Sequence, residues 1–150
     1  IDCSLPKKAK CVRIHVGGDF FSQPYFDAWL RVASRHNDIV FYAYTKSLPF
    51  WVKRLDALRY VPNFVLTASF GGYRDSLIEK HNLRYSKVVF SEAEADELGL
   101  EIDHDDSHAA IPALRNQSFA LLIHGIQPAG SAAGKAVSQL NGKGSYGKAN

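Results

Sequence analysis

The sequence predicts an α/β fold of repeated βα units with a mainly parallel sheet, arranged as a partial, open TIM-like barrel. Two observations point to it. Short runs rich in β-branched and aromatic residues, bounded by Gly, Pro, Asn, Asp or Ser, alternate with stretches of helical periodicity along the 150-residue chain. Most of those runs are continuously apolar, as strands buried on both faces of a parallel sheet are. A strand–helix–strand–helix order requires parallel strands joined by right-handed crossovers, in an open doubly wound sheet or part of a βα-barrel.

Five strands are expected, at 11–16 ("CVRIHV"), 39–45 ("IVFYAYT"), 64–69 ("FVLTAS"), 87–91 ("KVVFS") and 119–125 ("FALLIHG"). The first helix follows the cap residue Ser22, with Pro24 in its first turn and Phe26, Trp29, Leu30 and Ala33 repeating on one face. A second begins near Ser47, with Pro49 early and Leu48, Trp51, Val52, Leu55 and Leu58 along one stripe. A short third helix covers 72–81. A fourth starts at Ser91, with Glu94 in capping-box position, and stops at Gly99. The segment 100–118, "LEIDHDDSHAAIPALRNQS", reads as a polar loop with little regular structure. One domain thus spans 1–126, and 127–150, rich in Gly, Ala, Ser and Lys, reads as a C-terminal tail in which 132–140 could form a helix.

Chain length allows one core without staples. Hydrophobic residues at 46% and charged ones at 22% are those of a soluble globular protein, and no apolar run approaches the roughly 20 residues of a membrane helix. No signal peptide is visible. The net charge of +3 is scattered among acids, and no basic patch with interleaved aromatics stands out, so nucleic acid is the lesser expectation as a partner. Cys3 and Cys11 form neither a CxxC nor a zinc pattern, which favours a reducing compartment, the cytoplasm. The chain holds no methionine and begins at Ile1, which reads as a fragment of a longer protein lacking its N-terminal segment.

In parallel α/β folds ligands gather at the carboxyl ends of strands. That rule nominates Gly17, Gly18 and Asp19 after the first strand, Thr45 and Lys46 after the second, Ser69 with Gly71 and Gly72 after the third, Ser91 and Glu92 after the fourth, and His124 with Gly125 after the fifth. Two glycines let a ligand approach the backbone, and Asp19 could hold an ammonium group or a ribose hydroxyl; otherwise the tripeptide is a tight turn with a solvated acid. Lys46 could be a desolvated amine that forms a Schiff base, a phosphate or carboxylate ligand, or a solvent-reaching side chain. In "DHDDSH", His104, Asp106 and His108 could face one metal if the segment were helical, whereas its Asp and Ser residues favour a solvated turn. Arg13 and His15 are read as sharing one strand face, in a structural ion pair or hydrogen-bond network or as ligand-lining groups. The "SFGGY" turn could hold an anion at the start of the third helix.

"HVGGDFFSQPYFDAWLRVA" followed by "IVFYAYTKS" resembles the second strand, helix and third strand of radical S-adenosylmethionine enzymes. In that superfamily a strand ends in Gly-Gly-Glu-Pro and the next in Thr-Asn-Gly. Gly17 and Gly18 match the glycines, Asp19 the acid and Thr45 the Thr, while Phe20, Lys46 and Ser47 depart from the pattern. The resemblance favours the partial barrel and implies that Gly17, Gly18 and Asp19 hold the amino group of S-adenosylmethionine. The superfamily's CxxxCxxC loop is absent, so an iron–sulfur cluster would need cysteines from an upstream segment, and this chain alone should lack radical chemistry. Over almost its whole length, from "LPKKAKCVRIHVGGDFF" to "SFALLIHGIQPAGS", the chain resembles a family of tailed-phage proteins known by a gene-product number from mycobacteriophages. Longer members carry a cysteine-containing N-terminal region, and the family brings no activity with it.

The leading expectation is a cytoplasmic phage protein that binds S-adenosylmethionine or a related nucleoside at its strand ends as part of a radical-type enzyme. The rival is a non-catalytic binding or assembly module acting on a host protein or nucleic acid. Exposed strand edges make a homo-oligomer expected in either case.

Overall fold

The computed structural model describes residues 4–140 and 143–146. Its centre is an open, six-stranded, all-parallel sheet in the order β1-β2-β3-β4-β6-β5. The strands are β1 (Cys11–Arg13), β2 (Val40–Thr45), β3 (Phe64–Ser69), β4 (Tyr85–Val89), β5 (Glu101–Ile102) and β6 (Phe119–Leu122). The helices are α1 (Gln23–Arg35), α2 (Leu48–Val52), α3 (Leu55–Leu58), α4 (Ser76–Lys80), α5 (Glu92–Glu97), α6 (Ser107–Ala110) and α7 (Ala132–Leu140).

Successive side chains of a strand point to opposite faces, and the core divides accordingly. On one face Phe41, Ala43, Phe64, Leu66 and Ala68 pack against Phe26, Leu30 and Ala33 of α1, Leu48 and Trp51 of α2, and Ile78 of α4. Ala120 and Leu122 continue that face and meet Ala95 of α5 and Leu140 of α7. Each fully buried Phe or Leu contributes about 1.5–3 kcal/mol. On the other face Tyr42, Val65, Phe119 and Leu121 cluster with Ala109 and Ala110 of α6. The crossover helices therefore share one face, the barrel-like arrangement, and the opposite face carries the short helix α6.

Local chemistry sets the boundaries. Ser22 caps α1 by accepting the Tyr25 N–H at 3.3 Å, and Ser91 caps α5 by accepting the Glu94 N–H at 3.2 Å. The amide of buried Asn63 donates to the carbonyls of Ala33 and Ile39, both at 2.9 Å, and so ties the end of α1 to the start of β2. The helix expected from Ser47 to Leu58 breaks in two at Arg54, whose guanidinium forms a bidentate pair with Asp27 of α1 at 2.8 and 2.7 Å. The third helix starts at Ser76 because the Asp75 carboxylate first closes a turn by accepting the N–H groups of Gly71 and Gly72.

Two expectations are corrected. The segment 100–118 is not an irregular loop, since it holds β5, α6 and a 3₁₀ turn at Pro112–Leu114. Two of its acids, Asp103 and Asp106, are buried: the Asp103 carboxylate accepts the N–H groups of Asp105 and His108 and the Ser107 hydroxyl, which starts α6 without solvent. Second, Arg13 and His15 do not share a face. β1 ends at Arg13, the chain turns, and the His15 ring packs on Phe20 and Tyr25 on the α1 side. Beyond α7, Ser145 is buried, exchanges hydrogen bonds with the backbone of Leu122 and donates its hydroxyl to the Asp103 carbonyl at 2.5 Å. The end of the expected tail, 147–150, lies outside the described residues, as does Cys3.

Candidate functional site

Because all six strands are parallel, their carboxyl ends form one rim. After β1, Gly17 and Gly18 are exposed, and Gly18 has φ +83°, a backbone state that favours glycine. Asp19 turns inward. Its Oδ1 accepts the Phe20 N–H at 2.7 Å and the Thr45 hydroxyl at 2.6 Å, and its Oδ2 accepts the N–H groups of Lys46 at 2.7 Å and Ser47 at 3.1 Å. A carboxylate offers about four lone-pair directions. All are occupied, so Asp19 clamps the β1–α1 turn to the end of β2, and it is not the solvated acid of a plain turn.

Beside this clamp, Lys46, Gly71, Gly72, Tyr73 and Arg74 line a cleft of about 860 Å³ at the ends of β2 and β3. Lys46 is exposed and its ammonium donates to the Gly71 carbonyl at 3.2 Å. Gly71 has φ +100°, and a Cβ there would stand 3.6 Å from the Lys46 nitrogen. The N–H groups of Gly71 and Gly72, which could have held an outside anion, donate to Asp75 at 2.8 and 3.0 Å. Among the described residues neither Lys46 nor Arg74 has a carboxylate partner, and Tyr73 is fully exposed.

The remaining expected residues separate. Ser69 is half-buried at the end of β3, and the Ser91 hydroxyl serves as the cap of α5. His124 lies edge-on to Tyr146, with ring centres 4.8 Å apart, and lines a second cavity of about 250 Å³ with α7 and Gly144–Tyr146. Its pKa is held below the usual histidine value by burial first and by the Arg13 charge second, against the pull of Asp106. His104, Asp106 and His108 do not converge. The His108 ring lies 2.9 Å from Glu101 and 3.6 Å from Asp103, His104 is exposed, and Asp106 turns toward Arg13. Among the described residues no three His, Cys, Asp or Glu side chains form a group that could hold a metal ion.

Asp106 instead organises the polar face of the sheet. It is buried, in the left-handed region at φ 68°, and accepts from Arg13 at 2.8 Å, from the Tyr42 hydroxyl at 2.9 Å, from Tyr44 at 2.7 Å and from Tyr146. Burial before all else, with the Asp106 carboxylate adding to it, pushes the pKa values of Tyr42, Tyr44 and Tyr146 up, which keeps the three hydroxyls protonated as donors. Nearby, Arg84 donates to Thr67 and to the His108 carbonyl and lies over the Phe119 ring; burial pushes its pKa down to about 10. Tyr42, Tyr44, Tyr146, Arg84, Tyr73 and Arg74 were not among the expected site residues. One signal for the first two was present: in "FYAY" tyrosines alternate with Phe41 and Ala43, so one face of β2 is hydroxylic.

Fold and rim together define an open parallel α/β domain with its crossover helices on one face and one short helix on the other. The chain belongs to the Gene product 88 family, a phage gene-product family whose model matches residues 2–139. It is similar to the Gene 88 proteins of Mycobacterium phage D29 and Mycobacterium phage L5, 49% identical to each over 45 residues, or 30% of this chain. That match covers 19% of the length of each of these curated relatives. No solved structure matches the chain. Among the described residues no helix is long and apolar enough to cross a membrane.

Proposed function

We propose that this chain is the ligand-binding domain of a phage protein and takes a nucleoside-like small molecule at the carboxyl ends of β2 and β3. The cleft between Lys46 and the Gly71–Arg74 turn carries the reading: it is concave, has unpaired cationic groups and an exposed ring, and stands where parallel α/β sheets take ligands. The resemblance to S-adenosylmethionine enzymes would put the ligand's amino group on Gly17, Gly18 and Asp19. Asp19 could take it only by giving up one of its four protein donors. S-adenosylmethionine is thus the narrower form of the reading, and a radical-type reaction would need cluster ligands from outside this chain.

Thermal unfolding with millimolar adenosine or S-adenosylmethionine tests it. A ligand that binds only the folded state raises the midpoint with concentration. A flat response to every nucleoside sinks the proposal.

A second reading, a module for a protein partner, draws on a groove at the opposite rim. Leu55, Leu58 and Phe64 form its floor, and Arg59, His81 and Arg115 stand around it. That reading gains if nucleosides leave the midpoint unchanged while Arg115→Glu abolishes copurification with one identified host protein.

A further inference from the structure

Resting on the proposed nucleoside reading, we infer that the Lys46–Arg74 cleft recognises the phosphate of a free mononucleotide, with the Tyr73 ring beside it as the surface for the base. Its lining residues offer an anion the side-chain cations of Lys46 and Arg74, while Asp75 already occupies the N–H groups of Gly71 and Gly72. Two acids beside the cleft are engaged by backbone and hydroxyl donors, Asp75 by those two N–H groups and Asp19 by four donors of its own. Among the described residues Lys46 and Arg74 have no carboxylate partner, and they stand on either side of a glycine pair. Lys87 lies over the ring of Phe70, the residue before Gly71, at 5.5 Å from its centre.

This charge pattern selects among nucleosides. S-adenosylmethionine carries a sulfonium and an ammonium against one carboxylate, so its net charge is positive and repelled here. A 5′-phosphate brings nearly two negative charges, which a guanidinium fork and an ammonium bind as charge-assisted donors. The Tyr73 ring, fully exposed at the same cleft, offers a π-face to a base.

Calorimetric titration of the 150-residue chain with adenosine 5′-monophosphate, adenosine, S-adenosylmethionine, inorganic phosphate and an oligothymidylate decides the matter. The monophosphate should bind at least about tenfold tighter than adenosine, the size of one charge-assisted contact. Lys46→Ala and Arg74→Ala, both at exposed positions, should each remove most of that difference, leave the circular dichroism spectrum unchanged, and flatten the salt dependence; Arg74→Lys should restore part of it. Equal affinity for adenosine and its monophosphate would overturn the phosphate assignment and leave the nucleoside reading standing. Tighter binding of S-adenosylmethionine, of inorganic phosphate or of the oligonucleotide would also overturn it. No binding of any probe would overturn both.

Discussion

Arg13 and Asp106 are 93 positions apart in the chain and 2.8 Å apart in the fold. Their contact fixes α6 over the otherwise open face of the sheet, because the same carboxylate also gathers the hydroxyls of Tyr42 and Tyr44 from β2. Removing the carboxylate takes the acceptor from a part-buried guanidinium and from three tyrosine hydroxyls. Asp106→Ala should therefore lower unfolding free energy by about 2–3 kcal/mol in urea titration. Asp106→Asn, which tolerates the left-handed backbone and keeps one acceptor oxygen, should cost less. A loss below about 1 kcal/mol for the alanine variant would mean that the network does not hold the face closed.

Asp19 is predicted to behave as a fold residue first. Asp19→Ala removes the acceptor for four donors at the end of β1 and β2. The expected cost is about 2–3 kcal/mol, a fall of several degrees in the midpoint of a chain this size. Unchanged stability with ligand binding lost would restore the role that the Gly-Gly-acid resemblance assigns to it.

At Gly71, alanine meets a φ of +100° and places its Cβ 3.6 Å from the Lys46 nitrogen. Gly71→Ala should cost about 1–2 kcal/mol through backbone strain and weaken ligand binding by shifting the turn that lines the cleft. Gly17→Ala, with open space around its added Cβ and no positive φ, should do neither. Parallel melting curves of the two variants check this, and equal effects would contradict it.

Stability should also fall in mildly acidic solution. Burial holds the pKa of His15 below its ordinary value of about 6.5, with the Asp19 charge opposing, and His124 is likewise depressed. Both rings are then neutral in the fold at a pH where the unfolded chain is already taking up protons. Stability is complete above about 6.5 and is lost as pH falls through the lower folded values. Asp27, whose carboxyl is held below its usual range chiefly by the Arg54 hydrogen bond, adds a separate loss at lower pH still. Urea midpoints at pH 7.5 and 5.5 should differ less for His15→Gln than for the wild type; identical differences would exclude His15 as a contributor.

Much of this architecture is legible in the sequence because it depends on local chemistry. Apolar strands, the Ser22 and Ser91 caps and the βα period are each encoded within a few residues, and five strands and α1 follow from them. What stays hidden depends on distant partners. β5 is two residues long and exists through its pairing with β6. α6 follows a buried acid that reads as solvated in isolation, and the long helix after Ser47 breaks because Arg54 is fastened to α1. The site divides in the same way. The strand-end rule finds Gly17–Asp19 and Lys46, yet only the three-dimensional arrangement reveals that Asp19 is occupied and that Lys46 meets Arg74 across a cleft.

Amide chemical-shift mapping of the ¹⁵N-labelled chain during titration with adenosine 5′-monophosphate tests the location of the site most directly. Saturable shifts concentrated at Lys46 and at Gly71 to Arg74, with Gly17 and Gly18 little changed, are predicted. Shifts centred on Gly17 to Asp19, or on the groove around Arg115, would contradict the assignment of the ligand to the ends of β2 and β3.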